Sequence, residues 1–99
     1  MIHAKIKKEM LNEYIQMASL LTKETRNIRK GCIAYSFNQR IDEPTEFIIY
    51  EQWESQEALD EHIKHLAILL GPPAPGGSLP EKLINMYESG IPYYYNEIV

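Results

Sequence analysis

Two alternating runs, CIAYSFNQR (32–40) and EFIIYEQWE (46–54), constrain this chain more than any other feature. In the first, Ile33, Tyr35 and Phe37 fall on one side, with Cys32, Ala34 and Ser36 on the other. In the second, Phe47, Ile49, Glu51 and Trp53 share one side, and Ile48, Tyr50 and Gln52 share the other. A period of two is that of a strand. The β-branched and aromatic content of the second run suits a pleated surface. Between them IDEPTE holds turn-forming Asp42 and Pro44. The two runs are therefore expected to pair as an antiparallel hairpin. Both of its faces are fairly apolar. A small sheet usually buries one face and wets the other, so something is expected to cover the second face too.

The flanking segments supply the rest of the fold. MIHAKIK alternates Ile2, Ala4 and Ile6 with His3, Lys5 and Lys7, a short strand. Met10, Leu11, Tyr14, Ala18, Leu21, Thr25 and Ile28 recur every three or four residues, which places one apolar stripe on a helix. Lys23, Arg26, Arg29 and Lys30 crowd its last turns, where cations suit the helix dipole, and Gly31 is the expected stop. Ser55 is the expected N-cap of a second helix, with Glu57 in its first turn and a stripe of Leu59, Ile63, Leu66 and Leu70. Gly71 and Pro72 end it. Residues 71–77 are rich in chain breakers and are expected to be a mobile loop. Ser78 and Glu81 have capping-box spacing for a short helix, Gly90 breaks it, and IPYYYNEIV is expected to be the last strand, with Pro92 at a sheet edge.

The order is β, long α, β, β, α, short α, β. That is an α+β chain of the ferredoxin-like type, a split β-α-β pair forming one antiparallel sheet with helices on one face. Residues 1–99 are read as a single domain. A domain this small leaves much of its apolar surface in contact with water. The simplest cover for the free sheet face is a second copy, so a homodimer through sheet faces is expected.

Charge and cysteine content narrow the function classes. The formal net charge is −4. The only dense basic cluster, Lys5, Lys7 and Lys8, is followed closely by acidic residues, so no nucleic acid is expected as a partner. A lone Cys32 cannot form an internal disulfide, which fits a reducing compartment. No Cys or His cluster has zinc spacing, and neither a metal nor any other cofactor is expected. MIHAKIKK is too polar for a signal peptide, and no apolar run approaches the roughly 20 residues that span a bilayer. The expected location is cytoplasmic, with no membrane partner.

YEQWESQEALDEHIKH (50–65) carries the most specific pattern. Together with the strand start MIHAKIK and the Gly31-Cys32 entry to a strand containing Tyr35, it resembles the antibiotic biosynthesis monooxygenase domain family of dimeric α+β barrel proteins. The family pattern, E-x-W-x-s followed by a-L-x-x-H, falls on Glu51, Trp53, Ser55, Ala58, Leu59 and His62. The likeness covers nearly the whole chain apart from residues 71–77. It implies a homodimer with a pocket between helices and sheet in each subunit. Some members oxidise polycyclic aromatic substrates with molecular oxygen and no metal, flavin or haem. A relative isomerises a phosphorylated sugar derivative, and others degrade haem. This chain departs from the pattern at Ala67, where many members carry a second histidine; His65 lies two places earlier. Haem degradation is disfavoured, because Gly71-Pro72-Pro73 occupies the region of the axial histidine, His62 stands where that branch has a tryptophan, and that branch's first-strand asparagine falls near His3.

Each candidate site residue has a plain alternative. His62 sits among Leu59, Ile63 and Leu66, where an imidazole is either a base or a satisfied core histidine. Trp53 is either a stacking wall for a planar substrate or a core anchor. Glu51 is either a partner of Lys5 or His62 or a salt bridge at the sheet rim, since an unpaired buried carboxylate is costly. Tyr35 and Tyr50 are candidate hydrogen-bond partners for substrate. His65 is a further candidate, with an ordinary surface role as its alternative. Tyr93, Tyr94 and Tyr95 suit an aromatic wall or an interface, and Cys32 reads as a small buried hydrophobe.

Three functions follow. The first is a cofactor-independent monooxygenase of a small aromatic or quinol-like molecule, with His62 as base. The second is an isomerase of a small metabolite, with Lys5 or Arg40 as the only candidates to hold a phosphate. The third is a dimer that binds a ligand without turning it over.

Overall fold

β1 (Ile2–Ile6) lies inside a four-stranded sheet, flanked by β3 (Glu46–Trp53) and β4 (Tyr87–Pro92), with β2 (Cys32–Gln39) beyond β3. The computed structural model describes residues 1–99. All three pairings are antiparallel, and the order β2-β3-β1-β4 is that of the expected ferredoxin-like α+β fold. The long helix α1 (Leu11–Thr25) follows a short 3-10 turn at Lys8–Met10, α2 (Gln56–Leu70) follows β3, and a single helical turn, α3 (Glu81–Ile84), precedes β4.

Both long helices cover the same sheet face. Tyr14, Met17 and Leu21 of α1 and Leu66 and Leu70 of α2 pack on Ala4, Ile6, Tyr35, Phe47 and Ile49 of the sheet. Period two decides which strand residues reach this core: Ile2, Ala4 and Ile6 stand beside Ile49, Phe47 and their neighbours. Ile48, Tyr50 and Ile91 lie on the opposite face and are exposed.

The Ser55 cap forms as expected, its hydroxyl accepting from the Ala58 amide at 3.1 Å. Gly31 does not end α1. The helix stops at Thr25, and Asn27 takes the left-handed backbone, φ 68°. Asparagine tolerates that region better than most residues. Arg26 leaves the helix and donates through Nε and Nη2 to the Tyr35 carbonyl, at 3.1 and 2.6 Å, tying the helix end to β2. Ile28 is consequently exposed, and Met17 joins the buried stripe. Gly31 has another task. Its φ is +86°, and a Cβ there would stand 2.6 Å from the Ala58 Cβ. Its carbonyl accepts from the Glu54 amide at 2.8 Å, so the start of α2 is drawn tightly against this turn.

A register shift between Cys32 and Ala34 turns Ile33 outward and sets Cys32 opposite Trp53. Cys32 therefore shares the helix-covered side with Tyr35 and Phe37, and Ile33 is exposed. Residues 71–77 fold back on themselves, with the Ala74 amide donating to the Leu79 carbonyl at 2.9 Å and Pro73 bridging Pro80. The S-x-x-E spacing does not cap α3, which begins at Glu81 after Pro80 with no side-chain cap. The last strand starts earlier than IPYYYNEIV suggests. β4 takes Tyr87–Pro92, and residues 93–99 belong to no regular element. Pro92 closes an edge strand, and one further exchange continues the pairing: Met1 and Tyr93 trade backbone hydrogen bonds at 2.9 and 2.7 Å.

Candidate active site

β3 ends with Glu51 and Trp53 on the side that faces α2, and α2 returns His62 to them after its first two turns. The indole Nε1 of Trp53 donates to Glu51 Oε1 at 3.0 Å. The same oxygen lies 3.8 Å from His62 Nε2. The Trp53 and His62 rings are 4.6 Å apart between centroids and tilted by 33°, and Tyr35 meets the imidazole edge-on at 5.2 Å. One carboxylate, one indole, one imidazole and one phenol thus form a contiguous group.

These four residues border one cleft of about 1390 Å³ between the sheet, α2 and the C-terminal tail. That exceeds the roughly 300–1,000 Å³ of a usual small-molecule pocket, and its lining extends to Tyr93, Tyr94, Tyr95, Asn96 and Glu97. Access to it differs. Only 3% of the His62 side chain is exposed, against 17% for Glu51. Glu51 therefore presents the more open polar group, and His62 stands behind it with Trp53 across its ring.

Burial sets the electrostatics. Desolvation, with smaller contributions from His65 and Arg29, lowers the His62 pKa to about 4, so the imidazole is neutral at pH 7. The contact with Glu51 is then not an ion pair. Burial raises the Glu51 carboxyl above its ordinary value, an effect that the Trp53 hydrogen bond and the Met1 amine partly offset. His62 Nδ1 is closed to solvent and has no hydrogen-bond partner within the chain. The Tyr35 and Tyr87 hydroxyls are both pushed up, chiefly by burial. Below them the Tyr14 hydroxyl, buried among aromatic rings, pairs with Tyr87 at 3.0 Å.

The other expected site residues are not gathered here. Tyr50 is on the far face of the sheet, away from His62, with its hydroxyl donating to Gln52 Oε1 at 3.3 Å, although it too borders the cleft. His65 is half-buried on the flank of α2 and does not line the cleft. Lys5 pairs with Glu88 at 3.9 Å, not with Glu51, and Arg40 is held by Asp42 and Glu46; both border a separate hollow on the opposite sheet face. No three His, Cys, Asp or Glu side chains gather where they would hold a metal ion, and no helix is long and apolar enough to cross a membrane.

Some cleft residues escape a reading of the sequence. Tyr87 and Glu88 fall in a stretch whose Leu83, Ile84 and Met86 suggest helix, so their place on an edge strand beside the cleft is hidden. The signal that reveals them is the pairing of Ile6 with Tyr87, which a local pattern cannot carry. The Tyr93–Tyr95 run does border the cleft, although Tyr94 and Tyr95 are largely exposed and Tyr93 rests edge-on against His3 at 5.1 Å.

The sequence pattern of the antibiotic biosynthesis monooxygenase family matches residues 1–69. Over 60 residues, 61% of this chain, an uncharacterized protein of Synechocystis sp. is 32% identical, and the match spans 40% of that protein. A conserved protein from Methanosarcina mazei Go1 is 28% identical, with a TM-score of 0.58 over 64% of this chain and 61% of its own. The chain thus spans less than two-thirds of these two relatives. A crystal structure of an antibiotic biosynthesis monooxygenase superposes with a TM-score of 0.73 over 99% of this chain and 95% of its own, at 18% identity, which is a likeness of fold.

Proposed function

The chain belongs to the antibiotic biosynthesis monooxygenase family, and on that premise we propose that its cleft oxidises a small aromatic or quinol-like substrate with molecular oxygen. The observation that carries this reading is the convergence of Trp53, His62, Glu51 and Tyr35 on one aromatic-walled cleft. No resident cofactor is part of the proposal. Trp53 supplies a planar wall, Tyr35 braces the imidazole, and His62 is the base. The imidazole is neutral at pH 7 and so free to accept a proton, although its lowered pKa makes it a weaker base than an ordinary histidine.

For a ring CH₂ activated by neighbouring aromatic rings, the chemistry balances with dioxygen alone. His62 accepts one proton, and the resulting carbanion passes one electron to O₂. The two radicals join in a C–O bond, and the peroxide takes the proton back. Breaking the O–O bond expels water with the second ring hydrogen and leaves a carbonyl. The chain's contribution is to place the substrate, exclude bulk water and hold the proton.

The reading extends to assembly. The exposed Ile48, Tyr50 and Ile91 on the far sheet face are the proposed contact of a homodimer, with residues 1–99 forming one domain in each subunit. Oxygen uptake with anthrone and with substituted hydroquinones tests the activity. Wild-type protein consumes oxygen and His62→Ala slows turnover by about 100-fold or more, the range of a lost general base. Uptake that survives His62→Ala unchanged removes His62 from the mechanism, and no uptake with any such compound removes the monooxygenase reading.

A further inference from the structure

The charge of the cleft is one-sided. Its lining includes the carboxylates of Glu51, Glu88 and Glu97 and no lysine or arginine. The single ammonium that borders it, the amine of Met1, is already bonded to the Tyr93 carbonyl at 2.9 Å. Glu88 leans towards Lys5, and Glu97 accepts from Gln52 at 3.4 Å, both at exposed positions. Glu51 is different. It sits largely out of water and receives the Trp53 indole, but no cation within the chain pairs with it.

A carboxylate withdrawn from water, with no cation paired to it and only the nearby Met1 amine to offset its charge, is expensive to keep ionised. Trp53 is bonded to it, Tyr35 stands opposite it on β2, and Phe37 and Tyr87 line the same cleft. Aromatic faces attract cations through their quadrupoles, and a carboxylate among them adds direct charge and hydrogen bonds. The same surroundings bring no lysine or arginine to an anion, and the Met1 amine is already engaged. From this arrangement we infer that the cleft selects an aromatic ligand bearing a protonated amine, the ammonium seated on Glu51 and the ring against the aromatic walls. The inference rests on the cleft being the ligand site proposed above, and it adds a preference, among small aromatic molecules, for those that bear an amine. It argues against a phosphorylated or carboxylated substrate, for which no basic side chain is in place.

Trp53 is the only tryptophan in the chain, so its fluorescence reports this site alone. Titrations without oxygen compare three compounds with one phenol ring and different tails: tyramine, tyrosol and 4-hydroxyphenylacetate. Tyramine is expected to bind at least ten-fold more tightly than tyrosol, with 4-hydroxyphenylacetate weakest. Glu51→Gln is expected to bring tyramine and tyrosol to equal affinity while circular dichroism stays that of the folded protein. Should that variant unfold, NMR of the wild type gives a second reading, in which the Glu51 carboxyl carbon shifts on binding tyramine more than on binding tyrosol, and equal shifts with the two overturn the inference. Equal affinity for all three in the wild type, a preference for the carboxylate, no saturable binding of tyramine, or an amine preference that persists in Glu51→Gln each overturns the inference. None of these readings depends on turnover, so a protein that binds tyramine selectively and consumes no oxygen refutes the monooxygenase reading and leaves this one standing.

Discussion

Trp53 and Glu51, two residues apart on β3, point to the same side of the sheet, and the indole of one donates to the carboxylate of the other at 3.0 Å. Each fixes the other. The indole is held by a charged or partly charged acceptor, and the carboxylate keeps one donor where water is scarce. Replacing Trp53 by Phe removes that donor and leaves the ring. The variant is expected to lose about 1–3 kcal/mol of stability, the usual cost of stranding a buried polar group. Urea unfolding followed by circular dichroism measures it, and a loss below about 0.5 kcal/mol means that water replaces the indole without cost.

The depressed His62 pKa makes stability depend on pH in a stated direction. The unfolded chain takes up a proton on this residue near pH 6.5, whereas the folded chain does so only near 4. The unfolded state therefore binds more protons between those values, and stability falls as pH drops through the window. The gap corresponds to about 3 kcal/mol at most. Glu51 works the other way: its raised pKa means that ionising it costs stability as pH rises above the ordinary carboxylate range. His62→Asn is expected to flatten the fall between pH 6.5 and 4. Urea midpoints taken across that range check it, and a variant as acid-sensitive as the wild type contradicts it.

Tyr14 and Tyr87 share one hydrogen bond beneath the cleft, and Tyr14 is wholly buried. Tyr14→Phe strands the Tyr87 hydroxyl, and Tyr87→Phe strands that of Tyr14, each at about 1–3 kcal/mol. The double variant Tyr14→Phe/Tyr87→Phe removes both groups and is expected to recover part of the loss. A double-mutant cycle by urea unfolding gives the coupling. Strictly additive losses indicate that the two hydroxyls do not act as a pair.

At Gly31 two costs meet. The backbone is left-handed, and a Cβ would collide with Ala58. Gly31→Ala is expected to destabilise by about 2 kcal/mol or more, from strain at positive φ together with overpacking. Adding Ala58→Gly relieves the collision and leaves the strain, so the pair recovers only part of the difference beyond the cost of a helical glycine. Thermal unfolding of the three variants separates the two, and a stable Gly31→Ala contradicts the close approach of α2.

The sheet and the two long helices are legible because their periods are enforced by one large core. Ile2, Ala4 and Ile6, Phe47 and Ile49, and Leu66 and Leu70 all bury the side that alternation or helical spacing assigns them. The failures lie where a non-local contact overrides a local pattern. Ile33 looks inward by alternation, but a bulge hands its place to Cys32. Gly31 looks like a helix stop, yet Arg26 has already left the helix to reach the Tyr35 carbonyl. Tyr87–Pro92 becomes a strand because β1 offers it a free edge, and the stronger β-formers Tyr93, Tyr94 and Tyr95 lie past the end of β1, with Tyr93 alone continuing the pairing through Met1. At the site, Glu51, Trp53 and His62 are readable from spacing on β3 and α2. What spacing cannot give is the depth of each side chain, which makes His62 the more enclosed group and Glu51 the more open one.

The central claim is that an aromatic molecule occupies the cleft against Trp53. Because the chain has one tryptophan, its ¹⁵N-¹H spectrum holds one indole N–H signal, from the group bonded to Glu51. Titration with tyramine is the direct measurement. The account predicts a saturable shift of that signal, reduced in Glu51→Gln, together with shifts of the amides around His62. An indole signal that stays fixed while the ligand perturbs only the exposed sheet face would contradict it.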